Sequence, residues 1–336
     1  MEKDGILFHN VARIRATKAG PLLDRVPAAV FAGLDEPATH TSSDASGVEL
    51  RFVMQAPTVK LTLSVEAAAE AQVAYIRYGS FPGTWAAANR ILTTVPTPVT
   101  ISAPANLKRL QEVARAANLA FDPAVVRICL PYCRTYYWGA TGAISVPRAQ
   151  QMPKQTYLAY GSSITHGSLA LNPLATYPQL IADRFQADLL NFGFPGSAWL
   201  EPALADYLAA RQDWTFASLE LGINMLDAFS PAAFRARVRR FIAPFAADPR
   251  PVVATDMVVT DYPAAPEKVR AFRQIVQEEC QGKLPYVSGL QLLAQLTDLS
   301  SDLLHPTAVG MAKIARRLGD FMIASGSVAG PSPNQV

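Results

Sequence analysis

The stretch Thr156-Tyr157-Leu158-Ala159-Tyr160-Gly161-Ser162-Ser163-Ile164-Thr165-His166-Gly167 decides how the second half of this chain folds. A short apolar run gives way to small residues, and an amphipathic stretch begins soon after, near Thr176. Strand, turn and helix in that order open a βαβ unit. A serine at such a turn can also be a nucleophile, because small neighbours let an acyl carbon approach its hydroxyl. Alone, Gly-Ser-Ser is equally an ordinary turn.

Working outward, the alternation continues to the end of the chain. Predicted strands are 156–159, 189–192, 217–221, 251–255 and 286–288, with helices near 177–185, 201–210, 232–246, 266–280 and 308–323. Crossovers of this kind build a parallel sheet, and ligands bind outside the carboxyl ends of its strands. Before about Gln150 the period changes. Val48–Met54, Val59–Val65 and Gln72–Tyr78 show two-residue alternation, with further strands expected at 91–95, 99–102 and 125–130. Short strands spaced by turn residues predict an all-β sandwich of jelly-roll type, with a helix at 107–117 inserted. The expected units are 1–150, 151–326 and a disordered tail, 327–336.

Three more blocks follow the serine turn. They are Asn191-Phe192-Gly193-Phe194-Pro195-Gly196, Leu221-Gly222-Ile223-Asn224 and Asp302-Leu303-Leu304-His305-Pro306. Together they supply the types of group an acyl-transfer site needs: oxyanion donors, and a base with an orienting carboxylate. With all four blocks in order, the chain resembles the SGNH hydrolases, the GDSL-like lipase/acylhydrolase superfamily, from about Gln155 to Ile323. The longer runs 191–202 and 219–225 resemble a two-domain subgroup with an N-terminal β-sandwich. The fold this implies is a three-layer α/β/α, flavodoxin-like domain behind the sandwich.

The resemblance makes Ser163 the nucleophile, with Thr165 and Gly167 fitting the residues after it. Ser162 stands where the family usually carries aspartate, and is a rival nucleophile less well matched in spacing. Ser163 and Gly196 carry over as backbone oxyanion donors and Asn224 as a side-chain donor; Gly193 is the alternative to Gly196. His305 carries over as the base and Asp302 as its partner. Pro306 is expected to start the last helix. His166 is a rival base, too near Ser163 in sequence to face it readily, and otherwise a substrate contact. Trp199 and Met225 are candidates for shaping the acyl pocket or for core packing.

The implied activity is a serine esterase for short-acyl carboxylic esters, with sugar O-acetyl groups as a candidate substrate and no metal or organic cofactor. The alternatives are a thioesterase or lysophospholipase on longer chains, an acyltransferase, and a catalytically inert glycan-binding protein. The last would use front-half aromatics (Tyr75, Tyr78, Phe81, Trp85, Tyr136, Tyr137, Trp138), for which core packing is the plainer reading.

Composition limits the remaining classes. The 336 residues are half hydrophobic and 17% charged, enough for a large core or two. A net charge of +3 gives no footprint for nucleic acid. The basic cluster Arg235, Arg237, Arg239 and Arg240 reads as a solvated helix face or an anion-binding surface. Cys129, Cys133 and Cys280 form neither a disulfide framework nor a zinc pattern. No apolar run reaches signal-peptide or membrane length, so a cytoplasmic protein with a small-molecule ester partner, of unknown oligomeric state, is expected.

Overall fold

The structure is a computed structural model that describes residues 1–68, 70–261 and 265–330. In the front half, two antiparallel sheets face each other. One is centred on Ile6–His9, Glu49–Met54, Val125–Cys129 and Gln72–Tyr78, in that order. The other runs Thr97–Ser102, Thr58–Val65, Thr135–Thr141, Gly20–Asp24, Arg13–Thr17. Alternate residues point inward: Leu50, Phe52, Ile76 and Ile128 from the first sheet meet Leu61, Leu63, Val99 and Tyr137 from the second. The helix at Leu107–Ala116 is inserted between strands.

Seven front strands among the described residues went unread in the sequence, three of them pairs of residues (Glu2–Lys3, Phe81–Pro82 and Ile144–Ser145) and four longer. Ile6–His9, Arg13–Thr17, Gly20–Asp24 and Thr135–Thr141 are weakly alternating or carry polar residues at inward positions. The aromatics divide. Tyr78, Tyr136 and Tyr137 are buried, whereas Trp85 is 94% exposed.

In the second half, β1 (Thr156–Gly161), β2 (Asp188–Gly193), β3 (Phe216–Glu220), β4 (Val252–Thr255) and β5 (Tyr286–Val287) form a parallel sheet of order 2-1-3-4-5. The strands are apolar on both faces, as a sheet covered twice requires. Tyr157, Ala159, Leu189 and Val253 pack on α2 (Tyr177–Arg184) and α6 (Ala308–Ala324). Leu158, Tyr160, Phe192 and Leu219 pack on α3 (Pro202–Ala210), α4 (Pro231–Ala246) and α5 (Pro266–Cys280). The β1–β2 connection through α2 and the β2–β3 connection through α3 therefore lie on opposite faces, opening a crevice at the carboxyl ends of β1 and β3.

Pro306 does not start the last helix. Thr307 is its N-cap, the hydroxyl accepting from Gly310 N–H, and the helix begins at Ala308. Within the expected tail, Val328 is buried against α6, with its N–H on the Met322 carbonyl, while 331–336 lie outside the described residues. The basic cluster on α4 is an inter-element ion-pair network. Arg235 and Arg239 reach Glu279, Arg240 reaches Asp206, and Arg237 reaches Asp35. The three cysteines are free, with Cys129 and Cys280 buried. Among the described residues, no helix is long and apolar enough to cross a membrane.

The halves are joined along β2, an edge strand whose outward carbonyls lack a strand partner. Front-half side chains occupy all three: His9 meets Leu189 O, Asn10 and Arg25 donate to Asn191 O, and Arg25 donates to Gly193 O. At the strand's start, buried Arg51 binds Asp188 with two bonds of 2.6 Å and Glu49 with one of 2.7 Å. Arg127 completes Glu49. Burial alone would raise both carboxyls, but Arg127 and Arg51 hold Glu49 well below its ordinary range, and Arg51 holds Asp188 below its own.

Arg51→Leu leaves two buried carboxylates short of a cation and is expected to cost about 3–5 kcal/mol in a denaturant titration. Because both carboxyls have lowered folded-state pKa values, the stability they contribute is complete above the unfolded carboxylate range, about pH 4. It is expected to drain away as pH falls below that range. Thermal unfolding at stepped acid pH reads the loss directly.

Candidate active site

The crevice is built on the ends of β1, β2 and β3. β1 ends at Gly161, and a single helical turn, α1 (Ser163–His166), follows at once. Ser162 caps it, its hydroxyl accepting from Ile164 N–H at 3.2 Å. Gly193, at the end of β2, lets that turn settle: a Cβ there would lie 2.1 Å from His166 N. Asn191 stitches the two together, donating to Thr165 O at 2.8 Å and accepting from Gly193 N–H at 2.8 Å.

Ser163 and His305, 142 positions apart, meet here. Ser163 Oγ lies 2.8 Å from His305 Nε2, and His305 Nδ1 lies 2.6 Å from Asp302 Oδ2. For Nε2 to accept the serine proton, Nδ1 must carry the other and donate it to Asp302. The carboxylate is set by its own loop: Oδ1 accepts from Ser300 Oγ at 2.6 Å and from the N–H groups of Leu304 and His305 at 3.0 Å each. Partial burial would raise the Asp302 pKa, but these bonds and the one from His305 outweigh it and hold the group well below its ordinary value.

The other predicted residues fall on the neighbouring loops. Gly196 has φ +65°, a conformation that favours glycine, and open space where a Cβ would be. Its N–H and that of Ser163 have no hydrogen-bond partner among the described residues. Gly193 N–H, by contrast, is committed to Asn191. Asn224 Oδ1 accepts from Ala198 N–H at 3.2 Å, and its carbonyl accepts from Trp199 Nε1 at 3.1 Å. The loops after β2 and β3 are thereby tied together, and the amide nitrogen of Asn224 has no hydrogen-bond partner among the described residues.

Trp199 is half-buried, its ring edge-on to Phe229 at 5.7 Å. Met225 is wholly enclosed in the core. His166 does not contact Ser163 Oγ; its Nε2 lies 3.5 Å from Asp44 Oδ2 of the front half. Ser162 Oγ is likewise turned away, donating to Glu220 Oε2 at 2.7 Å. Among the described residues, no group of three or more His, Cys, Asp or Glu could hold a metal ion.

Glu220 is the residue that sequence reasoning missed. From the end of β3 its Oε2 also accepts from Ser162 N–H at 2.7 Å and Thr165 Oγ1 at 3.2 Å. It is buried, and that burial raises its pKa against the lowering effect of these bonds. Where the family this sequence resembles usually carries aspartate, this chain has Ser162, and a carboxylate reaches that serine from the adjacent strand. The signal was present as a lone acid in the apolar run Ala217–Leu221.

Comparison with known proteins places residues 159–313 on the model of the GDSL-like lipase/acylhydrolase family. No curated protein matches the chain. Among solved structures, salicylyl-acyltransferase SsfX3, from a tetracycline biosynthetic pathway, has a TM-score of 0.76 at 17% identity, covering 96% of each chain. A provisionally assigned GDSL-like lipase of Bacteroides ovatus has a TM-score of 0.68 at 17% identity, over 97% of this chain and 100% of the other. A family two carbohydrate esterase of Clostridium thermocellum, in complex with cellohexaose, has a TM-score of 0.57 at 13% identity, over 83% and 91%. At these identities the likeness is one of fold: a front β domain followed by the α/β domain.

Removing Glu220 frees the turn that carries Ser163. Glu220→Ala is expected to slow labelling of Ser163 by a fluorophosphonate on the order of 10²-fold, the scale of misplacing a reacting group by an ångström. Mass spectrometry of the labelled peptide measures the rate, and circular dichroism checks that the fold persists.

Proposed function

We propose that this chain, whose residues 159–313 match the GDSL-like lipase/acylhydrolase family model, is a serine esterase for short-acyl carboxylic esters. In this reading Ser163 is the nucleophile, His305 the general base and Asp302 its orienting partner. The observation that carries it is the continuous chain of hydrogen bonds from Ser163 through His305 to Asp302, 2.8 and 2.6 Å long.

His305 takes the Ser163 proton as Oγ attacks the ester carbonyl. The N–H groups of Ser163 and Gly196 and the amide of Asn224 stabilise the oxyanion that forms. Protonated His305 then gives its proton to the leaving alcohol, and the acyl group stays on Ser163. Water attacks that acyl-enzyme with His305 again as base, releasing the acid and restoring the serine. Asp302, held ionised by its loop, stabilises the imidazolium in both halves of the cycle. The substrate is a small-molecule ester, and sugar O-acetyl groups are the class suggested by the fold shared with carbohydrate esterases.

The first test is hydrolysis of p-nitrophenyl acetate, butyrate and octanoate by wild type and Ser163→Ala. Fast acetate turnover that disappears in the variant is expected. A preference for octanoate would move the reading to a thioesterase or lysophospholipase, and no turnover above the variant would overturn it. Asn224→Ala is expected to lower kcat about 10²–10³-fold with KM little changed, if its amide serves the oxyanion.

A second reading, acyl transfer, is favoured by the fold match to an acyltransferase over 96% of each chain. An added alcohol would then divert the acyl group from water, which product analysis would detect as a new ester.

A further inference from the structure

Two consecutive residues of the loop after β2 grip Asn224 from both sides. Ala198 N–H donates to its Oδ1 at 3.2 Å, and the indole Nε1–H of Trp199 donates to its backbone carbonyl at 3.1 Å. An amide nitrogen cannot accept a hydrogen bond, so the Ala198 contact also fixes which way the carboxamide is turned. The oxygen faces the loop, and the nitrogen is left to point elsewhere. The indole contact holds the short turn Ile223–Met225 on which Asn224 rides. Gly196 belongs to the same loop, which is closed by Ser197 N–H on Phe194 O at 3.2 Å and Trp199 N–H on Ser197 O at 2.9 Å. The spacing between the Gly196 N–H and the Asn224 amide is therefore set through residues 198 and 199.

The indole is itself held in place. Its ring stands edge-on to Phe229 at 5.7 Å, and Arg237 Nη1 donates to the Trp199 carbonyl at 3.3 Å. The Arg237 guanidinium also lies 5.7 Å from the centre of the Phe229 ring, and Asp35 of the front half reaches it at 3.8 Å. Indole offers a single N–H and no acceptor, and here that N–H is committed to Asn224. A rigid ring with two side-chain torsions makes such a cross-link at low entropic cost.

We propose that Trp199, buttressed by Arg237, is a positioning residue for the oxyanion site: its indole N–H holds Asn224 so that the amide nitrogen and the Gly196 N–H meet the oxyanion together. The proposal rests on the esterase reading, in which both of those groups serve the oxyanion. Donors fixed beforehand need no rearrangement as charge develops, and that is the source of their effect on rate. A donor set loose keeps its contact with the ground-state carbonyl but loses the part of the bond that strengthens in the transition state. Trp199 thus acts through Asn224 and not on the ester itself.

The test is a double-mutant cycle on the full-length protein, read with p-nitrophenyl acetate. Trp199→Phe keeps an aromatic ring against Phe229 and removes the N–H. It is expected to lower kcat/KM about tenfold, the scale of one hydrogen bond, with KM little changed. The pH profile is expected to stay where it was, because the bonds from Ser163 to His305 and Asp302 are untouched. In the Asn224→Ala background the same change is expected to cost about twofold or less, because the group it positions is gone. A merely structural tryptophan would cost the same in both backgrounds, and that result overturns the proposal. Should Trp199→Phe not fold, Arg237→Gln, which loosens the Trp199 carbonyl instead, must show the same dependence on background. The two readings fail separately. Activity lost on Asn224→Ala but indifferent to Trp199→Phe would sink the proposal alone. Wild type that cleaves no more ester than Ser163→Ala would overturn the esterase reading, and the proposal with it.

Discussion

The free edge of β2 is the constraint on which the rest of this molecule depends. A parallel strand at the border of a sheet presents carbonyls that must find partners or water. Here the outward carbonyls of residues 189, 191 and 193 are met by His9, Asn10 and Arg25 from the front half. The Arg25 guanidinium, fully buried over the Phe194 ring, has a pKa lowered to about 10 by that burial. It stays charged at neutral pH. The sandwich thus acts as the missing neighbour of the sheet, with side chains in place of a strand.

This junction reaches the chemistry in two steps. β2 leads directly into the loop that carries Gly196, and its last residue packs on the turn that carries Ser163. On the same border, Ser46 donates to His166 O at 2.6 Å and Tyr132 stands over the His166 ring. The Ser163 turn is therefore gripped from three sides: β2 through Asn191, β3 through Glu220, and the front half through Ser46. Polar networks of this kind are worth their desolvation only when nearly complete. Among the described residues, the buried side-chain nitrogen and oxygen atoms of residues 162–166, Ser46, Asn191 and Glu220 have hydrogen-bond partners except Glu220 Oε1 and the His166 ring nitrogens.

Reading the sequence recovered the parallel half closely, because apolar strands and amphipathic helices separated by glycine and proline leave strong periodic signals. The helix at Pro266–Cys280 matches its predicted bounds, and the others differ by a residue or so. The front half was less legible. Gly20–Asp24 and Thr135–Thr141 gain strand character from their neighbours across the sheet, and pairing at a distance has no local period. The four blocks named Ser163, Gly196, Asn224, Asp302 and His305 together, since each lies at the end of a strand or just before a helix. Glu220 escaped because its role is to hold a turn 58 residues earlier in the chain.

By itself, then, the sequence determined the alternation of strands and helices, the two-part division of period, and the residues able to supply a nucleophile, a base and oxyanion donors. Those are properties of local spacing and residue type. Only the tertiary structure decided which serine faces His305, that among the described residues the N–H of Gly193 is bonded and that of Gly196 is not, that a strand carboxylate holds the Ser163 turn, and that the front half closes the edge of β2. Each of these depends on which groups remain unpaired once distant segments meet. A hydrogen bond across 142 positions leaves no periodic trace in the chain.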